Sequence, residues 1–470
     1  MSRGLSCGVL VALLAITSGD AQSEELCGGF SVFVYDLPPV PFVNPERRAF
    51  ELLDRRLNIS LLRFEQESLG RTVPFFFGLP CDERFNHTSK DYEAEDKCVA
   101  ERFGGMGRLR SMGNSSMIPG SVVTYDTMPY SLPWLALRHL LNHCAAEAAE
   151  AATLFVVPLP LTEMLRLSRM KSVEHSWLQQ HLMRVQTSVF EQQYWSRNGG
   201  KDHLVVVPSV LNDLSPQWAR IGFDQHSWAP ATLVAVQTTK KEGFAVPYPT
   251  IFHPRSDQEV DQWMAFVTKL PRHRAGVFVG EWRGRRQRFL ELCDRNADVC
   301  KWRHVEDRFV GPLEEYGKFA FSLQPAGETS TRRGFFESLL MGTIPIVFRR
   351  GEDTCKEACP TVTIDGGRRK NTYDEVYAKF FGGGNVNWLS DVSLVAHDEK
   401  EAMKYLRETP EGRINKIRTN IIRMIPRILY WDTTYVWSQD AVGWKKHGPK
   451  NAVSTLLQRL RDEMASEKSG

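Results

Sequence analysis

The sequence lacks the short motifs that mark several large classes of enzyme. Neither GxGxxG nor GxxxxGK[ST] occurs in its 470 residues, so the dinucleotide fingerprint and the P-loop are both missing. No GxSxG nucleophile elbow follows the first 21 residues. Residues 104–107 and 382–384 are rich in glycine, but their spacing fits neither phosphate-binding motif. These absences disfavour a dehydrogenase, a P-loop NTPase and a serine hydrolase.

The chain has little net charge and only one long apolar run. Its formal charge is +3, without the strong basic bias of nucleic-acid-binding proteins, so we expect no nucleic-acid partner. Arg3 precedes an apolar run from Leu5 to Ile16, and small residues follow. This layout predicts a secretory signal peptide over residues 1–21, because a transmembrane helix needs about 20 apolar residues. An uncleaved N-terminal membrane anchor is the alternative.

Cysteine usage agrees with a secreted or luminal protein. Cys7 lies in the signal segment and eight further cysteines follow; an even number in an oxidising compartment favours disulfides. Zinc is disfavoured, because no CxxC spacing occurs. The local pairs that we predict are Cys81–Cys98, Cys293–Cys300 and Cys355–Cys359. N-glycosylation sequons fall in one early region, at Asn58, Asn86 and Asn114.

Alternating strands and helices predict two α/β domains. The chain exceeds the roughly 250 to 300 residues at which a single core stops growing. Strands rich in valine, leucine and phenylalanine alternate with amphipathic helices, a pattern typical of parallel sheets covered on both faces. The pattern restarts after a proline-rich stretch. We predict a first doubly wound domain at 27–245 with glycosylated insertions, a linker at 246–270, a second doubly wound domain at 271–410, C-terminal helices at 411–462 and a disordered tail at 463–470.

One strand–loop–helix unit of the second half concentrates charge at its turn. Phe319–Leu323 is predicted as a strand, the loop after it ends in Arg332 and Arg333, and Glu337 lies about one turn into the next helix. Ligands of open α/β sheets bind where strands end and helices begin, and helix N-termini and arginines bind phosphate. The unit therefore predicts a diphosphate site, with Glu337 placed to accept hydrogen bonds from sugar hydroxyls. A surface ion pair between Arg333 and Glu337 is the alternative.

A second basic cluster follows another predicted strand, Gly276–Trp282. Its members are Arg283, Arg285, Arg286 and Arg288. An ordinary basic helix face is the alternative explanation. Two arginine-rich loops in one half of a chain with so small a net charge favour an anionic ligand in that half.

The residues of the charged unit resemble a known family. LQPAGETSTRRGFFESLLMGTIPIVF, residues 323–348, resembles the signature of the exostosin family of glycosyltransferases, and within it the branch of plant xyloglucan galactosyltransferases. CGGFSVFVYDLPP, VPYPTIFHP, FVGEWRGRRQRFLELC and IIRMIPRILY support the resemblance in the expected order. It covers nearly the whole chain after the signal segment.

The resemblance implies a GT-B fold, in which two Rossmann-like domains face a cleft, the first domain binding the acceptor and the second the donor. It implies inverting transfer from a UDP-sugar, galactose in this branch, to a glycan acceptor, without a metal ion or another cofactor. The sequence contains no metal-binding DxD motif. The resemblance also implies a Golgi-luminal location and association with other glycosyltransferases. The donor-binding residues that it implies by position are Arg283, Arg286, Gly327, Glu328, Thr329, Arg332, Arg333 and Glu337.

Three positions depart from the pattern of this branch. Glu328 and Glu337 stand where aspartates are usual, and each side chain is one methylene longer. Thr343 replaces a cysteine. The longer acids could change the fit of the donor, and the threonine removes a thiol.

The sequence alone does not single out the catalytic base. Inverting displacement needs a base to take the proton of the acceptor hydroxyl. In TYDTMPYSLPW, residues 124–134, the family pattern predicts an acid where Met128 or Pro129 stands. The candidates are Asp126, His203 and Asp36. His203 could equally be a buried structural histidine, and Asp36 could serve only to form a turn.

Two other functions remain open. A transferase of the same fold could use UDP-glucuronic acid, UDP-xylose or UDP-arabinose, and a uronic-acid donor would need an additional cation beyond the phosphate site. A non-catalytic glycan- or nucleotide-binding subunit would have kept the fold and lost the base, which the altered segment around Met128 favours. The arginines and Glu337 argue against such a subunit, because a scaffold has no use for a complete donor site.

Overall fold

The computed structural model describes most of both predicted domains. The described residues are 26–35, 37, 109–111, 117–119, 122–129, 131–159, 161, 164–165, 168, 175–208, 210–211, 216–224, 226–238, 243–254, 256–280, 287–326, 331–348, 372–382, 387–431 and 451–469. Predictions that fall outside them concern the signal segment, the three sequons, Asp36, Cys81, Cys98, Cys355, Cys359, Arg283, Arg286, Gly327, Glu328 and Thr329.

A parallel five-stranded sheet forms the core of the first half. In the sheet order β1-β4-β5-β6-β7, its strands are β1 Val32–Val34, β4 Leu154–Val157, β5 His203–Val206, β6 Thr232–Ala235 and β7 Gly243–Ala245. Two short antiparallel strands, β2 Leu109–Ser111 and β3 Val123–Tyr125, form a separate ribbon. The helices are α1 Leu132–His143, α2 His175–Phe190, α3 Gln193–Arg197 and α4 Pro216–Ile221, with a 3₁₀ turn at Ala149–Ala151.

A second parallel sheet of five strands forms the core of the other half. In the sheet order β12-β11-β10-β8-β9, its strands are β8 His273–Val279, β9 Cys300–Arg303, β10 Phe319–Gln324, β11 Ile344–Phe348 and β12 Leu394–Ala396. The helices are α5 Asp257–Lys269, α6 Gln287–Arg295, α7 Val310–Lys318, α8 Arg333–Leu340, α9 Thr372–Tyr377, α10 Trp388–Val392, α11 Glu399–Glu408, α12 Glu411–Ile428 and α13 Ala452–Ser469, with a π turn at Ala378–Gly382.

The two parallel sheets confirm the predicted α/β class with the two-domain GT-B arrangement. All residues of β4, β5 and β10 are buried, as expected for strands whose two faces are both covered by helices. The stripe predicted on α12 is also confirmed, because its isoleucines at 414, 417, 421 and 425 are buried.

The predicted linker is not an isolated connection between the halves. Residues 246–254 are buried and belong to no helix or strand, which suits prolines because they fix the backbone without donating a hydrogen bond. The rest of the predicted linker contains α5, where Trp263 stacks on Phe252 at 4.4 Å between ring centroids. The Trp263 indole N–H donates to the Leu340 carbonyl at the end of α8. This part of the chain therefore belongs to the core of the second half.

The prediction of a disordered tail at 463–470 is wrong for residues 463–469, which continue helix α13. Met464 packs against the core, and Glu463 forms a 2.7 Å ion pair with Lys379. The helix also returns to the first half, where a Cβ on Gly28 would lie 2.8 Å from the backbone of Leu457. The polar composition of the tail did not reveal these partners, which are distant in sequence.

Two disulfides occur among the described cysteines. Cys293–Cys300 was predicted and is confirmed. Cys27–Cys144 joins residues 117 positions apart and was not predicted, because spacing suggests only local pairs. It ties the chain before β1 to the end of α1. No helix among the described residues has the length and apolar character needed to cross a bilayer.

Candidate active site

The loop between β10 and α8 brings a helix N-terminus to the carboxyl edge of the second sheet. Arg332 is the N-cap of α8 with an extended backbone, φ −152°, and its own side chain does not cap the first turn. The first N–H groups of a helix need partners from outside it, and anions are suitable ones. Gly334 allows α7 to lie close to this turn, because a Cβ there would come within 2.7 Å of the Tyr316 hydroxyl.

Arg332 reaches from this loop to the end of the neighbouring strand. Its Nη2 donates to the carbonyl of Val279, the last residue of β8, at 3.1 Å. Its guanidinium carbon lies 5.8 Å from the centre of the Phe278 ring. Its Nη1 is buried and has no hydrogen-bond partner among the described residues. Because burying an unpaired cationic donor is costly, this atom indicates a place for an anionic ligand.

Arg333 joins the two halves of the molecule. Its Nε lies 2.7 Å from Glu337 Oε1, and its Nη1 donates to the carbonyl of Thr127 in the first half at 2.6 Å. Nη2 is buried with no hydrogen-bond partner in the described part of the chain. The predicted alternative of a surface ion pair does not fit, because the side chains of Arg333 and Glu337 are only 15% and 6% exposed.

Glu337 lies on α8, four residues after Arg333, with which it forms an ion pair. Burial raises its pKa above the ordinary 4.5, and the charges of Arg333 and Arg332 only partly offset this effect. Two arginines and one buried acid therefore share a site in which a further anion would compensate the excess positive charge. A carboxylate at this depth can also accept hydrogen bonds from a hydroxylated ligand.

The first half contributes the opposite wall of the site. The Gln237 side-chain carbonyl accepts hydrogen bonds from the backbone N–H of Thr331 at 3.2 Å and from its hydroxyl at 2.5 Å. The Tyr377 hydroxyl donates to the carbonyl of Val236 at 2.8 Å. Val236 and Gln237 follow β6, so the carboxyl edge of the first sheet faces the loop before α8. The two sheets thus present their ligand-binding edges to each other.

A histidine holds the segment that meets Arg333. His253 Nδ1 lies 2.8 Å from the Tyr430 carbonyl, which can only accept, so Nδ1 carries a proton. The other ring nitrogen, Nε2, lies 2.8 Å from the Thr127 hydroxyl, which donates to it in this tautomer. Asp126 is buried beside Thr127. The structure therefore brings Asp126 within one residue of the contact between Arg333 and the first half.

His203 is not brought to this site. It begins β5, so about four residues of strand, or about 13 Å, separate it from the carboxyl edge. The ring is fully buried, with Nδ1 2.8 Å from Asp202 Oδ1 and Nε2 2.7 Å from the Tyr35 hydroxyl. It also stacks on Phe155 at 5.1 Å. These contacts favour the structural interpretation of this histidine.

Thr343, which replaces a cysteine of the resembled pattern, supports the far end of α8. Its hydroxyl donates to the Tyr316 carbonyl at 2.6 Å and accepts from Arg272 Nη1 at 2.8 Å. Arg272 is half-buried and also donates to the carbonyl of Met341, just after α8. Burial lowers the pKa of Arg272 to about 9, with a smaller contribution from Arg418. The backbone carbonyls at the carboxyl ends of α7 and α8 accept hydrogen bonds from Arg272 and so oppose this effect by favouring the charged form.

Sequence reasoning missed Gln237, Thr331 and Tyr377. Gln237 ends the predicted strand TLVAVQ, and a polar residue at that position is the signal that could have found it. Among the described residues, no group of three or more His, Cys, Asp or Glu side chains is arranged to hold a metal ion.

Comparisons with known proteins agree with the geometry. A sequence profile described as the Exostosin GT47 domain matches residues 26–357. A probable xyloglucan galactosyltransferase of Arabidopsis thaliana is 26% identical over 260 residues, 51% of this chain and 51% of that protein. A xyloglucan galactosyltransferase of the same plant is 27% identical over 280 residues, 54% and 53% of the two chains.

A third Arabidopsis thaliana protein, a xyloglucan-specific galacturonosyltransferase, is 26% identical over 247 residues, 48% of this chain and 36% of that protein. The matched parts thus span about half the length of the first two relatives, and less of the third.

Proposed function

Because the chain belongs to the exostosin GT47 family, we propose that it is a glycosyltransferase that moves a sugar from a UDP-sugar donor to a glycan. Galactose is the favoured sugar, and a xyloglucan-type polysaccharide is the favoured acceptor, since two of the relatives are named for that reaction. The observation that carries the proposal is a pair of buried nitrogens at a helix N-terminus, Arg332 Nη1 and Arg333 Nη2, which have no hydrogen-bond partner among the described residues.

The donor would lie across the carboxyl edge of the second sheet. Its diphosphate would accept hydrogen bonds from Arg332, Arg333 and the first turn of α8. Glu337 would accept hydrogen bonds from the ribose hydroxyls. When the bond between the anomeric carbon and the phosphate oxygen breaks, the two guanidinium groups would stabilise the charge that develops on the departing UDP. The absence of a DxD motif supports transfer without a divalent metal.

The acceptor would approach from the first half, and Asp126 is the base that the geometry favours. As the acceptor oxygen attacks the anomeric carbon from the face opposite the leaving group, Asp126 would take its proton. The product would then have the inverted configuration. Asp126 suits this role better than His203, because only Asp126 is next to the residue that contacts Arg333. Asp36 lies outside the described residues and stays a candidate.

Two proposals concern the setting of the enzyme. The N-terminal segment would direct the chain to the Golgi lumen, either as a cleaved signal or as an anchor. The eight cysteines after that segment agree with an oxidising compartment. Association with other glycosyltransferases of the same pathway remains a proposal that follows from the family.

The test is transfer by the purified luminal chain, supplied with a panel of UDP-sugars and xyloglucan-type oligosaccharides, with and without EDTA. We expect turnover of UDP-galactose that EDTA does not reduce. Turnover of another UDP-sugar would change the donor and keep the enzyme class. UDP binding without turnover of any donor would favour a non-catalytic subunit, and loss of activity in EDTA would overturn metal independence.

A further inference from the structure

Buried polar side chains join strand β10 to helix α8, behind the proposed donor site. Ser322 and Gln324 share one face of β10, because side chains alternate along a strand. On that face they meet Ser338 of α8, and all three residues are at most 1% exposed. Ser338 Oγ accepts hydrogen bonds from Ser322 Oγ at 2.8 Å and from Gln324 Nε2 at 2.7 Å. The strand and the helix are therefore connected by a polar network directly before and after the donor loop.

The hydrogen bonds of the serines determine the orientation of the Gln324 amide. Ser338 Oγ donates its proton to the Gly334 carbonyl at 2.6 Å, since a carbonyl can only accept. Ser322 Oγ donates to Ser338, so both serine oxygens can only accept from Gln324. The amide nitrogen of Gln324 therefore faces the two serines, at 3.1 Å and 2.7 Å. Its carbonyl oxygen points away from them.

The Gln324 carbonyl oxygen lies beside the N-terminal turn of α8, close to Arg332. A Cβ added to Gly334 would stand 3.1 Å from Gln324 Oε1 and 3.4 Å from Arg332 Nε. The Tyr316 hydroxyl lies 2.7 Å from the same point. Gln324 Oε1 is buried and has no hydrogen-bond partner among the described residues. A neutral carbonyl and a hydroxyl thus occupy the space next to the guanidinium group, where the glycine leaves room for them.

The nitrogens of the Arg332 guanidinium face different surroundings. Nη2 donates to the Val279 carbonyl, and Nε lies on the side of Gln324 and Tyr316. Nη1 is the nitrogen without a hydrogen-bond partner in the described part of the chain. Burial raises the pKa of the Tyr316 hydroxyl, and the charge of Arg332 opposes this effect, so that charge reaches the same space. Neutral oxygens on two sides would orient the cation without neutralising it, and would leave Nη1 for an anion.

A purely structural role explains this arrangement less well. Apolar side chains of the same shape can replace buried hydrogen-bonded partners at little cost in stability. They would also avoid burying the Gln324 carbonyl oxygen without a partner, an exception among buried polar groups that calls for an explanation. A carboxylate at this position would pair with Arg332 and reduce the positive charge that an anionic ligand needs. An amide held in one orientation avoids that loss.

We propose that Gln324 is a positioning residue of the donor site. Held by Ser322 and Ser338, its carbonyl oxygen orients the Arg332 guanidinium toward the diphosphate of the donor. The inference rests on the proposed function and deepens it. Gln324 acts through Arg332 and does not itself touch the donor. Its effect should therefore be confined to ligands that carry phosphate groups, and it should depend on Ser338.

The test compares Gln324→Met, Ser338→Ala and the double variant with a matched control, Ser393→Ala. Methionine keeps the length of the glutamine side chain and removes the amide. Ser393 is a buried serine that donates to the carbonyl four residues before it, as Ser338 does, but it lies at the end of α10. Titration calorimetry would measure the affinity of each purified protein for UDP, inorganic diphosphate and uridine. Denaturant unfolding would verify that each variant folds.

We expect Gln324→Met and Ser338→Ala each to weaken the binding of UDP and of diphosphate about tenfold, because Arg332 loses its orientation. Uridine has no phosphate group, so its affinity should change by less than about twofold. The double variant should bind UDP no more weakly than the weaker-binding single variant, since both substitutions act through one amide. Ser393→Ala should bind all three ligands as the wild type does.

The outcomes distinguish this inference from the proposed function. Unchanged UDP affinity in folded Gln324→Met would overturn the inference and leave the proposed function standing. Equal weakening of uridine and UDP would also overturn it, because the whole site would then be distorted. Additive losses in the double variant would overturn the role of Ser338. If Gln324→Met does not fold, Ser338→Ala decides the same question, since it deletes a single hydroxyl. Wild-type binding of diphosphate without binding of UDP would overturn the proposed function, and the diphosphate affinity of Gln324→Met would still test the inference.

Discussion

The two halves share one architecture and place their charged groups at opposite edges of it. In the first half, Asp202, His203 and Tyr35 form a sealed network near the start of β5. In the second half, Arg332 and Arg333 follow the end of β10, and each has a buried nitrogen with no hydrogen-bond partner in the part of the chain that the structure describes. Parallel sheets of the same type therefore support a structural network in one half and a ligand site in the other.

The two networks also differ in the direction in which the pKa of their buried acid is shifted. Burial alone would raise the pKa of Asp202, but hydrogen bonds from His203, Asn198 and Arg197 lower it to about 2. For Glu337, the effect of burial exceeds that of the neighbouring arginines, and the pKa is raised. The first network is thus satisfied internally, whereas the second keeps uncompensated groups that a ligand can use. Whether the buried polar groups have hydrogen-bond partners within the protein, more than the topology of the sheet, distinguishes a structural network from a ligand site.

The largest effect should come from removing the two donor arginines together. Arg332→Ala with Arg333→Ala should abolish the increase in thermal stability that UDP gives, because both buried guanidinium groups at the helix N-terminus are lost. For the wild type, UDP at 100 times its dissociation constant should add about 2.7 kcal/mol to the free energy of unfolding. Differential scanning fluorimetry measures both. A normal UDP shift in the double variant would place the donor elsewhere.

Replacing the favoured base should separate chemistry from binding. Asp126→Asn should lower kcat by about 10²- to 10⁴-fold and leave UDP affinity within about twofold, because the side chain would act only on the acceptor proton. The measurement is transfer to an oligosaccharide acceptor alongside calorimetric UDP binding. An unchanged kcat would favour Asp36 as the base, since His203 is buried away from the cleft.

A change in the first-half network should cost stability rather than donor binding. His203→Phe removes a partner of the buried Asp202 carboxylate, so we expect a loss of about 3 kcal/mol in the free energy of unfolding. UDP affinity of the folded protein should stay unchanged. Denaturant unfolding and calorimetry test the two halves of this expectation. A stable variant that binds UDP but does not turn over would instead make His203 catalytic, and the contrast between the halves would fail.

The smallest effect concerns pH. Because burial raises the pKa of Glu337, the acid becomes protonated at a higher pH than an ordinary carboxyl, and UDP binding should weaken as pH falls through that raised pKa. Glu337→Gln should bind UDP more weakly and without this pH dependence. For folding the sign is opposite: the proton is held more tightly in the folded state, so this stability is lost as pH rises through the raised pKa. UDP titrations across pH would test the binding arm, and identical profiles would remove Glu337 from the ribose site.

Several features of the site could be read from short stretches of sequence. The run Phe319–Leu323 and the arginines after it predicted a strand and a helix N-terminus, both of which the structure contains. Cys293–Cys300 was predictable because its partners are seven residues apart. Cys27–Cys144 and the contact of α13 with Gly28 were not, since nothing local distinguishes their partners.

The amino-acid sequence by itself determined the two parallel sheets, the buried faces of their helices and the strand whose end carries the donor arginines. These follow from periodicity and turn chemistry, which act over a few residues. Only the tertiary structure decided that Thr127 and Gln237 meet Arg333 and Thr331, and that His203 faces away from the cleft. Partners separated by 206 and 94 positions are chosen by how the two cores pack together, and no local pattern records that choice.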